Sequence, residues 1–424
     1  MSPTSRASAA SFDATDPAPL RDEFELPPAR NSAEPHVAYF AGNSLGLLPK
    51  ATRHELNTRL DEWSTKAVQA HFVGDSPWIE LPDSLAGPMA RIVGALDHEV
   101  VVMNTLTVNL HVILSALYAP TANRRKVVVE AGAFPSDRYA IASQLRLHGL
   151  DPTTELVEVR SGPEGWFDTD EIIRRLRDLG DEIAVVVFGA VNFRTGQFLE
   201  MSRITDFAHE VGALMVWDLA HAAGNVEVHL HDWNVDAAVW CTYKYLNGGP
   251  GAIGAAFIHE RHVNRTDIPT LHGWWGNDPA TRFEMTPDIR PAQGATGWQI
   301  SNPPILGLAP VGISLDQFDR VGGMSAIRAR SLRLTGYLET LLDDLVLTHD
   351  VTQLTHRNPD SRGAQLSVLV EDAKAVTELL IDKFDVIPDE RPPNVIRFAP
   401  IPLYTSYDDC WRAVDALRQV LGRR

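Results

Sequence analysis

The chain has no long hydrophobic run, almost no cysteine and a deficit of basic charge, and each scarcity excludes a class of protein. Its longest apolar stretch, Ile183 to Val191 (IAVVVFGAV), is strand-length; a membrane-crossing helix needs about 20 apolar residues. The two cysteines, Cys241 and Cys410, are too few for a disulfide framework and lack metal-site spacing. They read as plain apolar residues of a reducing compartment, and no metal site is expected. With 38 basic and 55 acidic residues the formal charge is −17. That balance disfavours nucleic acid and anionic membrane as partners, although a local basic pocket can still hold a phosphate. The opening stretch MSPTSRASAASFDATDPAPL lacks a continuous apolar core and carries Asp13 and Asp16, so it does not read as a secretory leader. We expect a mobile tail over residues 1–30 and a cytoplasmic protein.

What is present is an ordinary soluble composition, 44% hydrophobic and 22% charged, in 424 residues. That length exceeds what one core organises, so two domains are expected. No internal repeat is visible. From about residue 90 to 260, short apolar runs alternate with amphipathic segments. KVVVE (126–130), ELVEV (155–159), 183–191, ALMVWD (213–218), 237–242 and 252–258 read as strands, with the short run VVM (101–103) ahead of them. TDEIIRRLRDL (169–179), closed by Gly180, and SRITDFAHEV (202–211), closed by Gly212, have helical spacing. The fold class is therefore α/β: a large domain with a mostly parallel seven-stranded sheet sandwiched by helices. Residues 262–305 are irregular and tryptophan-bearing, in the manner of loops that serve a site or interface. A smaller α+β C-terminal domain follows. The expected boundaries are 31–90 for a segment tied to the small domain or bridging the two, 91–315 for the large domain and 316–424 for the small one.

Three features converge on one region. Asp218 directly follows the run LMVW, and in open parallel sheets ligands bind at the carboxyl ends of strands. Alone, it reads equally well as a helix cap. Lys244 also ends a strand, in AVWCTYK; alone, it reads as a snorkelling or salt-bridged lysine. Leu106 and Thr107, after VVM, fit a helix start that holds an anion through backbone N–H groups and a hydroxyl, or a simple cap. Together they match the needs of pyridoxal phosphate: an amine for a Schiff base, an acid opposite the ring nitrogen and a cradle for the phosphate.

Longer motifs carry a resemblance. YFAGNSLGLLPK (39–50), NTLTVNLH (104–111), EAGAFPSDRYA (130–140), WDLAHAAGNVEVHLHDW (217–233), WCTYKYLNGGPG (240–251), ISNPPI (300–305) and IRFAPIPLY (396–404) occur in order. With them the chain resembles the kynureninases, pyridoxal-phosphate enzymes of the aspartate aminotransferase fold type, over most of its length. The resemblance implies that Lys244 forms the Schiff base and Asp218 pairs with the ring nitrogen. It places His221 beside the ring and gives Tyr243 a phosphate contact and a proton-donor role. Leu106 and Thr107 are implied at the phosphate, Phe134 on the ring face, and Ser136 and Asp137 in the same FPSD turn. Trp274 is implied to reach the phosphate across a homodimer interface, with Asn302 also near the cofactor. Ser44, His71, Asn302 and Arg397 are implied for substrate, Arg397 on the α-carboxylate. His71 and Asn302 together imply a preference for 3-hydroxykynurenine over kynurenine. The implied reaction is hydrolytic Cβ–Cγ cleavage to a (3-hydroxy)anthranilate and L-alanine. GWWGN (273–277) departs from the pattern at Trp275 and Asn277. Another class V pyridoxal-phosphate activity, desulfurase or aminotransferase, shares Asp218, His221 and Lys244, but Cys241 and Cys410 lie in a predicted strand and helix, poor places for a mobile catalytic thiol.

Overall fold

Seven apolar runs become strands of one sheet in the computed structural model, which describes residues 3–422. They are β1 (Val100–Val102), β2 (Lys126–Glu130), β3 (Leu156–Val159), β4 (Ile183–Gly189), β5 (Leu214–Asp218), β6 (Ala237–Trp240) and β7 (Ala255–Ile258). The spatial order is β1-β7-β6-β5-β4-β2-β3. All neighbours from β6 to β3 pair in parallel, for example Val186 opposite Met215 and Val216 opposite Ala237. β7 alone is reversed, antiparallel to both β6 and β1. The carboxyl ends of β1, β2, β4, β5 and β6 therefore share one edge.

The central strands are apolar between their ends because both faces are buried there, whereas the edge strand β3 carries the exposed Glu158. In β4, Ile183, Val186 and Phe188 enter one core, and Ala184, Val185 and Val187 enter the other. The first core is closed by the helices Thr169–Leu179 and Met201–Glu210, through Ile172, Leu176, Ile204 and Phe207. The second is closed by the helices Leu106–Leu117 and Pro135–Leu147, through Leu110, Ile113, Ile141 and Leu145. Each such side chain contributes about 1.5–3 kcal/mol by leaving water. The Thr169–Leu179 helix shows why sequence sets its ends. Asp168 accepts from the Asp170 N–H at its start, and Gly180, at φ 53°, ends it in a conformation that a β-carbon disfavours.

The small domain is a four-stranded antiparallel sheet of β8 (Val351–Gln353), β9 (Leu366–Val370), β10 (Asp389–Arg391) and β11 (Val395–Phe398), ordered β8-β9-β11-β10. The helices Gly323–Val346, Ala373–Phe384 and Tyr407–Leu421 share its core. The two-residue strand Ala38–Tyr39 pairs in parallel with Val386–Ile387, and Ala41 bridges to Ala399, so the N-terminal segment is stitched onto this domain. The stretch 262–305 is irregular, with short turns at Trp274–Gly276, Arg282–Glu284 and Gly294–Trp298. No helix among the described residues is long and apolar enough to cross a membrane.

The expected mobile tail is instead partly helical. Arg6–Thr15 forms a helix docked on the final helix. Ala9 is fully buried, and Phe12 lies 5.3 Å from Tyr337 and 5.5 Å from Tyr407, ring to ring. The Asp13 carboxylate accepts from the N–H groups of Tyr407 and Asp408 at 2.8 and 2.9 Å. It thus satisfies donors that the first turn of a helix leaves without intrahelical partners.

Candidate active site

A cleft of about 570 Å³, counted out to its mouth, opens where β1, β2, β4, β5 and β6 end. Its wall includes Leu106, Thr107, Phe134, Ser136, Asp137, Asp218, His221, Tyr243 and Lys244. These nine expected residues come from four separate strand ends, β1, β2, β5 and β6, and meet in one place.

Lys244 sits in a turn just past β6 that is pinned from several sides. The Gly248 N–H donates to Thr242 O at 2.8 Å, Asn247 N–H to Lys244 O at 3.0 Å, and Gly46 N–H to Tyr243 O at 2.8 Å. Thr242 Oγ1 donates to Ile253 O at 2.6 Å. A β-carbon on Gly46 would lie 2.6 Å from Lys244 O and 2.2 Å from Asn247 Oδ1, so only glycine lets the N-terminal segment pass beneath the lysine. The Lys244 Nζ stands 5.9 Å from the Phe134 ring centre and 6.0 Å from that of Tyr243.

Two helix starts face the same cleft. Asn104, at φ 47°, turns the chain from β1 into the Leu106–Leu117 helix, and Phe134 precedes the Pro135–Leu147 helix. Their first turns are joined by Thr107 Oγ1 and Ser136 Oγ, 2.7 Å apart. Two positive dipole ends and two hydroxyls make a site for a phosphate-like anion.

Three carboxyl groups line the cleft, all buried: Glu130, Asp137 and Asp218. Asp218 accepts from the Ala220 N–H at 2.6 Å. Burial, then the charge of the neighbouring Asp218, push Asp137 well above the usual carboxylate range. Burial pushes Glu130 up to about 8, opposed by the Gly189 N–H on its Oε1 at 3.1 Å. The His221 imidazole is pushed well down by burial and then by the positive charge of Lys244, Arg397 and Arg391, so it is neutral. Burial also raises the Tyr243 phenol, which keeps its proton. Burial likewise holds the neighbouring Cys241 as an unreactive thiol.

The residues fit pyridoxal phosphate. His221 Nδ1, Asp137 Oδ1 and Glu130 Oε2 are buried with no hydrogen-bond partner among the described residues. Such atoms ask for a polar occupant. Leu106, Thr107 and Ser136 would hold the phosphate, Asp218 with Asp137 the ring nitrogen, His221 the ring edge, and Phe134 the ring face.

Ser44 and Arg397 also come together, beside the cleft. Arg397 is completely buried; its Nη1 donates to Phe193 O at 2.6 Å, and its Nη2 donates to Ser44 Oγ at 3.0 Å. Phe193 itself lines the cleft. The structure adds Asp389, which accepts from Arg397 and from Ser44, and Arg391, which donates to Asp389.

His71, Asn302 and Trp274 are not among the residues that line the Lys244 cleft in the single chain. They ride on the segments around 67–78 and 273–302, which meet where Phe72 packs on Phe283 (5.7 Å), itself packed on Trp274 (5.4 Å). The His71 ring packs on Trp78 at 5.2 Å, Asn302 is exposed, and Trp274 donates to Arg282 O at 3.0 Å. Glu130, Asp389 and Arg391 escaped the sequence reading. Glu130 obeys the same strand-end rule as Asp218, whereas nothing local marks the other two. Away from the cleft, Glu99, His231 and His259 also meet. There Glu99 accepts from the N–H groups of Leu96 and Glu260 and pairs with His231 Nδ1 at 3.0 Å, tying three loops together.

Solved structures share this architecture. A cysteine desulfurase from Thermococcus onnurineus superposes with a TM-score of 0.74 at 18% identity, over 92% of this chain and 95% of that one. The cystine C-S lyase C-DES does so with 0.76 at 16% identity, over 90% and 97%. Such a fold, with an amine, buried carboxyls and an anion cradle at the strand ends, has the parts that a pyridoxal-phosphate enzyme requires. Closer relatives narrow this. The kynureninase of Salinispora tropica is 49% identical over 96% of this chain and 95% of its own length. That of Xanthomonas axonopodis pv. citri is 46% identical over 96% of each. Residues 327–417 match the family model described as the kynureninase C-terminal domain. The chain belongs to the kynureninase family and is a pyridoxal-phosphate-dependent hydrolase.

Proposed function

We propose that the chain cleaves the Cβ–Cγ bond of L-kynurenine and L-3-hydroxykynurenine with water, giving anthranilate or its 3-hydroxy form and L-alanine. The observation that carries the reading is the meeting of Lys244 with Asp218, His221 and the Thr107–Ser136 cradle in a chain so similar to kynureninases from end to end. Pyridoxal phosphate, when bound, supplies an electron sink for bonds at the substrate Cα. Lys244 Nζ holds the cofactor and then takes the Cα proton. Arg397 and Ser44 bind the α-carboxylate and orient that proton toward the lysine. Water adds to the γ-carbonyl, and collapse of the hydrate releases the aromatic acid. Tyr243, held protonated by burial, gives its Oη proton to the Cβ left behind, and Lys244 returns a proton to Cα, completing alanine.

Cleavage is read by anthranilate fluorescence with each substrate, and absence of product from both would refute the reaction. Lys244→Ala should remove turnover and the cofactor's near-visible band; retention of both sinks the lysine assignment. His71 and Asn302 support a preference for the 3-hydroxy substrate, since a site built to bind a phenolic hydroxyl rejects the analogue lacking it. A higher kcat/KM for kynurenine would overturn that preference. Because His71, Asn302 and Trp274 lie off the cleft of their own chain, we assign them to the cleft of a second copy in a homodimer. The aromatic patch of Phe72, Trp274 and Phe283, each about half exposed, supplies the contact surface. An active monomer in sedimentation would defeat the shared site. No observation favours the desulfurase alternative: Cys241 and Cys410 are both buried in the fold.

A further inference from the structure

The site assigned to the substrate carboxylate already contains a carboxylate. Asp389 and Arg397 are directly opposed on the neighbouring strands β10 and β11, and Arg391 lies two residues along on the same face. Asp389 Oδ2 accepts from Arg397 Nη2 and from Ser44 Oγ, while its Oδ1 accepts from Arg391 Nη1. Arg391 Nη2 also reaches Ser44 Oγ, at 3.2 Å. Two guanidinium groups thus share one carboxylate. The nearby His221 is held neutral and adds no further positive charge to this excess. Arg397 Nε, moreover, is buried with no hydrogen-bond partner among the described residues, although its Nη1 and Nη2 are engaged. A guanidinium binds a carboxylate best through two prongs, and Arg397 has one prong idle and one on Asp389. Arg391 is a third exposed and Arg397 wholly buried, so Arg391 has room to move and Arg397 has not.

We propose that Asp389 and Arg391 form a carboxylate-exchange device. Asp389 closes over Arg397 in the empty site and passes to Arg391 when the substrate's α-carboxylate takes Arg397. The exchange converts two cations on one anion into two matched pairs, and it favours amino acids over the corresponding amines, which cannot displace Asp389. The inference rests on the reading of Arg397 as the carboxylate-binding residue.

The test measures KM and kcat for L-kynurenine, and inhibition by kynuramine, its counterpart without the carboxylate, on cofactor-loaded D389N, R391A, D389N/R391A and R397A. D389N removes the competing charge at constant shape, so KM should fall about three- to tenfold with kcat within about twofold. Kynuramine inhibition should be unchanged. R391A leaves Asp389 no second partner, so KM should rise about tenfold, and that rise should vanish in the double variant. An unchanged or raised KM in D389N means that Asp389 only orients Arg397, and overturns the exchange. If D389N fails to hold the cofactor band, R391A decides: an unchanged KM there overturns it equally. R397A separates the two levels. A wild-type KM in R397A sinks the carboxylate reading itself, whereas a large rise there with no fall in D389N sinks the exchange alone.

Discussion

Substituting Gly46 by alanine is the sharpest probe of how the catalytic lysine is held. The new β-carbon would sit 2.2 Å from Asn247 Oδ1, 2.6 Å from Lys244 O and 2.8 Å from Asn247 Cα. Two of those three atoms are backbone and cannot swing aside as the tip of a long side chain would. Overpacking a tight site costs about 1–3 kcal/mol. The Gly46 N–H bond to Tyr243 O at 2.8 Å is lost if the segments part, adding about 1 kcal/mol. A total of about 3 kcal/mol, expressed at the site, weakens cofactor binding about a hundredfold. If the whole fold absorbs it, the urea midpoint falls instead. Gly336 is the control, a helical glycine with nothing within 4 Å of its would-be β-carbon. There, Gly336→Ala should stabilise by about 0.5–1 kcal/mol through the unfolded chain. The assay is a cofactor titration followed by absorbance, paired with urea unfolding. A Gly46→Ala protein with wild-type cofactor affinity and wild-type midpoint would refute the claim that backbone contact beneath Lys244 holds the turn.

The anion cradle predicts that Thr107→Ala and Ser136→Ala each raise the cofactor dissociation constant about tenfold, as loss of one hydrogen bond to a charged group does; equal affinity would remove them from the phosphate site. Asp236 is buried, and burial alone would raise it, but His209, His262, Arg261 and the Met215 N–H outweigh burial and hold it below the usual carboxylate range. A depressed folded value gives stability that is present above the unfolded pKa of about 3.9 and lost as pH falls below it. Wild-type urea midpoints should therefore drop on acidification through that range more steeply than those of Asp236→Asn, and parallel curves would show that the carboxylate is not linked to folding. Asp13→Ala removes the acceptor at the start of the final helix and should cost about 1 kcal/mol; it should also speed trypsin cleavage after Arg6. Unchanged cleavage would mean that the helix Arg6–Thr15 does not dock through this contact.

Much of the site was open to inspection in the chain alone because the rule that reveals it is local. Asp218, Lys244 and Thr107 each follow an apolar run, and in a parallel sheet such positions face one common edge. The central strands read as short, unbroken apolar runs because both of their faces are covered. That same uniformity hid the reversal of β7, since a strand buried on both sides reads alike in either direction. Composition made residues 1–30 look mobile, but Ala9, Phe12 and Asp13 acquire their roles only against a helix that begins at Tyr407. Asp389 and Arg391 carry no local mark either. They meet Arg397 through the pairing of β10 with β11, and a shift of one residue would turn them to the other face. The linear order of residues thus decided which side chains stand at strand ends and which chemistry they bring. Tertiary structure decided which charges oppose one another, because pairing register and burial are properties of segments that meet in space and not of any one of them.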